Sequence, residues 1–314
     1  MGGVALDECL AGYWVHEVTL IVTVGCPKFV VQVSDRRFTR LDSRLPVPET
    51  EEGNKELVVR ACDADFAISF TGLAALEGER TGDWLLECIS DAKAAEAGFD
   101  ACLAAVRAAA DDTFARIAQR DGAFYHHTFV FAGFHHGAAQ PRVAVVSNCE
   151  SGDFRVGPAA STFSVQDISS ARYPYHQAGM IPAMHADSKS RIKGLARRAP
   201  SYASVADLIV REVRLAASHA KYGRYIGKQC MSVCVRGSGE GEVEVEAVYH
   251  PTHSRPITYA PNVVNVFPAQ GGGLGHMCAK DVQMLGGWPG GMGVGPSGTA
   301  MLDRRNLARR PPAP

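Results

Sequence analysis

The chain has 314 residues, 46% of them hydrophobic, and its 32 basic and 33 acidic side chains leave a formal net charge of −1. That length and composition supply a well-buried core for one large domain or two small ones. Near-neutrality gives no global field to recruit nucleic acid, and no apolar run of about eighteen residues marks a membrane-spanning helix, so neither partner is expected.

The chain opens with MGGVALDECLAGYWVHEV, which lacks a basic start followed by an apolar stretch; a cytoplasmic location is the expectation. The nine cysteines, Cys9, Cys26, Cys62, Cys88, Cys102, Cys149, Cys230, Cys234 and Cys278, are scattered among apolar neighbours and read as buried reduced thiols. Cys230 and Cys234 are four apart in a β-rich run, too far for a disulfide.

The first predicted elements are the β-branched runs Val18 to Val24 and Lys28 to Ser34, joined at Gly25-Cys26-Pro27 as a hairpin. Residues 38–54 are polar, contain Pro46, Pro48 and Gly53, and read as a connection to a second strand pair, Glu56 to Arg60 and Asp65 to Phe70. Four strands are thus expected before any helix. From Asp83 the spacing becomes helical, with Trp84, Leu85, Cys88 and Ile89 on one stripe, and a second helix carries Phe99, Leu103, Val106, Phe114 and Ile117.

Strands return at Thr128 to Phe134 and Arg142 to Ser147, with shorter ones near Phe154 and Phe163. Helices follow at Ser188 to Ala199 and Ser204 to Ala220, the latter opened by Ser204 and Asp207 at capping-box spacing. Gln229 to Arg236 and Val243 to Tyr249 are the last strands. Because strands and helices come in blocks and do not alternate, the pattern predicts segregated layers: an α+β, four-layer αββα sandwich with helix pairs outside two stacked antiparallel sheets. The expected divisions are an N-terminal extension at 1–17, one domain at 18–250, and a Gly/Pro-rich tail at 251–314 that reads as disordered.

This block order resembles the proteasome β-type subunits, of the N-terminal-nucleophile hydrolase fold family, and residues along the first strands carry the same likeness. Thr19 opens the first strand, and Asp35 follows sixteen residues later in Ser34-Asp35-Arg36-Arg37, with Arg36 where the family has serine. Lys55 matches the family's lysine after a longer connection, and Gly72 in SFTGLAAL matches its strand-to-helix glycine. Arg37 matches the arginine of the same short motif.

The resemblance implies an amide-bond hydrolase, foremost a threonine-type peptidase. Thr19 would be the nucleophile, its own α-amine the base, Lys55 paired with Asp35 the source of positive potential, and the Gly72 N–H the oxyanion donor. It further implies a peptide or small amide substrate, no cofactor or metal, and a homo-oligomer; the sequence names no unfoldase. Ser164, Ser169 and Ser170 are equal candidates for a supporting serine, and the loop Lys221 to Gly227 has neither Ser nor Asp. The alternatives are a catalytically silent scaffold or binding subunit of the same fold, and a small-molecule amidase or acylase.

Other motifs read as structure. His126, His127, His135 and His136 bracket one strand with the pairs about nine residues, roughly 30 Å, apart, so they cannot share one metal and read as solvated strand ends. Arg191, Lys193, Arg197 and Arg198 form a basic cluster that reads as a solvated face, with docking as the next meaning.

As long as Thr19 is joined to Val18 its nitrogen is an amide and has no basicity. The preceding His16-Glu17-Val18 lacks the glycine after which the family is cut. A GTG codon at position 18 would instead start translation with methionine, whose removal exposes Thr19. Intact mass of the protein expressed from its native locus is expected to show a species beginning at Thr19; retention of residues 1–17 would exclude this route.

Overall fold

The computed structural model describes residues 19–42, 45–50, 55–91, 98–150, 156–198, 201–237, 244–250, 252, 262–265, 275–277, 293–294 and 299–302. The β-branched runs at the start form β1 (Leu20–Cys26) and β2 (Phe29–Asp35), an antiparallel hairpin buried along its whole length. Burial on both sides explains the near-continuous apolar sequence. Eight strands precede the first helix: β3 (Phe38–Asp42), β4 (Leu45–Thr50), β5 (Glu56–Arg60), β6 (Ala64–Thr71), β7 (Ala75–Leu76) and β8 (Glu79–Arg80) follow the hairpin.

The segment read as a polar connection is therefore partly a second hairpin, β3–β4. Its two strands pair only with each other, so Pro46 and Pro48 sit in a ribbon with open edges, where a missing N–H costs no central ladder bond.

The helices among the described residues are α1 (Thr81–Asp91), α2 (Phe99–Asp121), α3 (Ser188–Arg198) and α4 (Tyr202–Ala216). Between them come β9 (Thr128–His135), β10 (Arg142–Ser147), β11 (Ser164–Asp167) and β12 (Tyr175–Gly179), and after them β13 (Cys230–Arg236) and β14 (Glu244–His250). The strand expected near Phe163 starts one residue later, at Ser164, and the one near Phe154 lies outside the described residues, as do positions 1–17. In 251–314 the described elements are β15 (Asn262–Asn265), β16 (Gly275–Met277), β17 (Gly293–Val294) and β18 (Thr299–Leu302).

Two seven-stranded sheets result, in the orders β12-β1-β2-β13-β14-β18-β17 and β11-β10-β9-β6-β5-β15-β16. The pairing is antiparallel except between β5 and β15. The fold is mixed αβ with two large, predominantly antiparallel sheets.

Strand periodicity sorts the side chains into three clusters. Leu20, Val22 and Val24 of β1 pack with Ile192 of α3 and Ile209 and Val213 of α4. Phe66 and Ile68 of β6 and Phe129 and Phe131 of β9 pack with Leu85 of α1 and Val106 of α2. The third cluster draws on the other faces of both sheets, with Ile21, Val30 and Val233 from one and Val58, Ala67 and Val130 from the other. There Gln32 Nε2 donates to Thr23 Oγ1 at 3.2 Å and to the Val130 carbonyl of the opposite sheet at 3.1 Å.

Toward one end of these strands the same inward faces turn polar, with buried Thr19, Ser34, Glu56, Ser69, Thr71 and Thr128 replacing the apolar residues. The inter-sheet layer is thus mostly apolar in its middle, with Arg60 and Asp65 buried at one end and the candidate site at the other.

The N-cap of helix α4 lies three residues before the predicted one. It is Ser201, whose Oγ accepts from the Ser204 N–H at 3.1 Å, so Ser204 lies inside the helix. Ser201→Ala is expected to cost about 1 kcal/mol in urea unfolding, and Ser204→Ala less.

Candidate functional site

The register of β1 and β2 brings Thr19 and Asp35 to the same end of one sheet, and Lys55, just before β5, approaches from the other. All three are buried, with Asp35 fully so. Lys55 Nζ donates to Thr19 Oγ1 at 2.7 Å and lies 3.3 Å from each Asp35 carboxylate oxygen. Asp35 accepts three backbone hydrogen bonds as well: from Leu20 at 2.8 Å, Arg37 at 3.0 Å and Gly227 at 2.9 Å. A buried carboxylate is tolerated only with such complete satisfaction.

The Thr19 carbonyl is held separately. It accepts from the Met180 N–H at 2.8 Å, at the end of β12. The preceding Gly179 has φ +84°, and a Cβ there would lie 1.9 Å from the Thr19 oxygen and 2.9 Å from Thr71 Oγ1. Only glycine permits this approach. The same close packing brings Thr71, the last residue of β6, to Gly179, and Gly72 follows it in the chain.

Gly72 has φ +116°, and a Cβ on it would lie 2.4 Å from the His126 carbonyl oxygen. The next peptide is fixed from both sides: the Leu73 N–H donates to His127 Nδ1 at 3.2 Å, and Thr81 Oγ1 donates to the Leu73 carbonyl at 2.7 Å. His127 is 1% exposed and stacks on Phe70. Burial pushes its imidazole down to about 3, so the ring is neutral and can accept at Nδ1.

The structure thus brings Thr19, Asp35 and Lys55 into contact, while the neighbours of Gly72 are His126 and His127. Arg37 points elsewhere: its side chain donates to the Arg224 carbonyl at 2.9 Å and ties down the loop whose Gly227 serves Asp35. That loop supports the carboxylate through a backbone N–H, which is how a segment without Ser or Asp can do so.

The three serines considered for a supporting role do not serve Thr19. Ser164 Oγ donates to the Ser147 carbonyl and Ser169 is bonded to Val143, both around β10, and Ser170 is an exposed turn residue. Gly179 and Met180 hold that side of Thr19 instead.

His127 was read as a solvated strand end and is a core residue; its neighbours' polarity in sequence hid its burial. Among the described residues no group of three or more His, Cys, Asp and Glu is placed to hold a metal ion. Arg36, where a serine was expected, is 1% exposed, and its charge opposes the strong upward push that burial gives the Glu56 carboxyl. The described cysteines are free thiols; five are buried, Cys88 is half-buried and Cys62 is exposed. Among the described residues no helix is long and apolar enough to cross a membrane.

A neutral buried His127 makes acid sensitivity predictable. Between its ordinary 6.5 and about 3 the unfolded chain binds a proton that the folded chain does not. Unfolding free energy should therefore fall as pH drops through this window, by up to about 1.4 kcal/mol per pH unit from this residue. His127→Gln, which keeps an acceptor for Leu73, is expected to flatten that part of the profile in urea titrations at successive pH values.

No family model matches the chain, and no curated protein matches it in sequence. Among solved structures, the Anbu (Gly-1) mutant from Hyphomicrobium sp. strain MC1 is similar at 16% identity and TM-score 0.44, over 72% of this chain and 84% of that one. The helical assembly of the Anbu complex from Pseudomonas aeruginosa has 11% identity and TM-score 0.44, over 75% and 88%. Anbu, described as an ancestral beta-subunit, from Yersinia bercovieri has 11% identity and TM-score 0.42, over 69% and 82%. These neighbours correct the resemblance to proteasome β-type subunits: they are Anbu proteins, which are proteasome-like but a distinct family.

Proposed function

We propose that the chain is an amide-bond hydrolase, foremost a threonine peptidase, whose nucleophile is Thr19 once the Val18–Thr19 bond has been opened. The carrying observation is the 2.7 Å hydrogen bond from Lys55 Nζ to Thr19 Oγ1, with Lys55 also paired to the buried Asp35. A bland ion pair between strands would not require the ammonium to point at a hydroxyl.

Once freed, the Thr19 amine would have an ordinary pKa of about 8 and be partly neutral near pH 7. It would take the hydroxyl proton as Oγ1 attacks the carbonyl carbon, and return it to the leaving nitrogen. Lys55 would hold Oγ1 in place and stabilise its developing negative charge, while Asp35 keeps the ammonium oriented. The left-handed turn at Gly72, braced through Leu73 by His127 and Thr81, supports a backbone N–H role toward the tetrahedral oxyanion.

The site sits within the segment 18–250, which we take as the domain, with 1–17 as an extension and 251–314 as a tail. The cluster memberships support a stack of helices, sheet, sheet and helices. The substrate class is a peptide or small amide, and a homo-oligomer belongs to the same reading.

A silent scaffold is the second reading. It is favoured by the intact amide at Thr19 and by Met180, a residue without a polar side chain, standing beside Thr19 where a hydroxyl could have served the amine. A small-molecule amidase would use the same residues.

Expression from a start codon placed directly before Thr19, followed by an N-terminal-threonine-directed epoxyketone, separates these readings. One adduct at Thr19 is expected by mass spectrometry, absent in Thr19→Ala and slowed at least about a hundredfold in Lys55→Ala. No adduct on a chain proven to begin with Thr19 would favour the scaffold.

A further inference from the structure

Helix α3 carries Lys189, Lys193 and Arg197 at successive four-residue steps, hence along one stripe, next to the core-facing Ser188, Ile192 and Ala196. Arg198 follows on the helix, and Arg172 adds a cation from the segment before β12. Two tyrosines lie among these charges: Lys189 is 5.7 Å from the Tyr175 ring centre, while Arg172 and Arg197 are 5.7 and 5.8 Å from that of Tyr173.

None of these five cations forms an ion pair with a described acidic group. Glu212, the acid nearest the helix by contact, is used by Ser188 and by Arg191 at 2.9 Å, and the exposed Asp187 faces His185. The helix dipole accounts for Arg197 and Arg198 in the last turn but opposes Lys189 in the first, where no acid stands. Burial and the nearby Lys189 and Arg197 both push the Lys193 ammonium below its ordinary value. Like charges are thus held together with two tyrosine rings, but no described acidic group, to offset their repulsion.

The complementary feature lies on the opposite side of the molecule. Helices α1 and α2 cover the outer face of the other sheet, and between them runs a groove of about 440 Å³ whose lining includes Trp84, Cys88, Ala109, Glu87 and Asp112. Arg116 also lines the groove, paired to Glu77 at 2.7 Å and attracted by Asp112, while Glu87 and Asp112 are exposed. The whole chain carries −1, so five cations on one face leave −6 for the remainder.

We infer that the α3 ridge of one molecule docks into the α1–α2 groove of a second copy, with Lys189, Lys193 and Arg197 meeting Glu87 and Asp112. A helical ridge suits a groove between helices, and lysine stems can cover its apolar floor while their ammonium ends reach the acids. Ridge and groove lie on opposite outer faces, so the contact is head-to-tail; it leaves one ridge and one groove unused until a ring closes or a filament extends. This specifies the homo-oligomer of the preceding reading and is independent of the chemistry at Thr19.

Sedimentation velocity on the full chain at low and high salt tests it, with circular dichroism to verify folding. The parent should self-associate at low salt and weaken at least about tenfold when salt is raised tenfold. Lys189→Glu/Lys193→Glu/Arg197→Glu should weaken association at least about tenfold, Glu87→Lys/Asp112→Lys likewise, and the chain bearing both sets should recover most of the loss, because opposite charges face each other again. If a variant misfolds, Lys189→Gln/Lys193→Gln should still weaken association, by a smaller factor. A parent monomeric under all these conditions overturns both the oligomer and this contact. An oligomer indifferent to every charge change overturns the contact alone.

Discussion

The carboxylate of Asp35 is the point on which the candidate site depends. It is fully buried and receives the Lys55 ammonium together with backbone N–H groups from the start of β1, the second residue after β2, and the loop before β13. These groups come from both sheets and from a segment nearly two hundred residues away. An ionised carboxylate removed from water must collect such donors or remain unstable. Satisfying Asp35 therefore fixes where the two sheets meet, and that junction aims Lys55 at Thr19.

Around this anchor the constraints are mostly steric. Gly179 lets the Thr19 carbonyl reach the Met180 N–H, and Gly72 lets the β6 turn pass under His126. Neutral His127 then supplies an acceptor for Leu73 without introducing a charge that would compete with Lys55. The site end of the inter-sheet layer is therefore assembled from groups whose charge state and bulk are both tightly specified, whereas the apolar middle depends mainly on close packing.

Much of this was legible in sequence for an identifiable reason. The strands carrying Thr19, Asp35 and Lys55 follow from local patterning, the family resemblance singles out the three residues on them, and the structure places them in contact. Gly179 was not legible, because its importance arises from the approach of β12, a short strand of tyrosine, histidine and glutamine with no apolar signature. His127 was misread because burial of a histidine is set by tertiary neighbours, here Phe70, Phe114 and Phe129. Ser201 and Ser204 both have the chemistry of a helix cap, and only the backbone geometry distinguishes them. The resemblance to proteasome β-type subunits gives way to Anbu neighbours, and the geometry of Thr19 stands independently of either.

The β1–β2 hairpin and the β3–β4 excursion differ in what they let the chain change. Adding one residue within the first hairpin would exchange Asp35 for Ser34 or Arg36 at the site, because strand faces alternate. The stretch between Asp35 and Lys55 makes its own two-stranded ribbon, paired with neither main sheet, so its length is not transmitted to the atoms on either side. Descent can therefore lengthen or shorten that ribbon freely, reshaping whatever it overhangs, while the parity of a few buried residues keeps the chemistry in register.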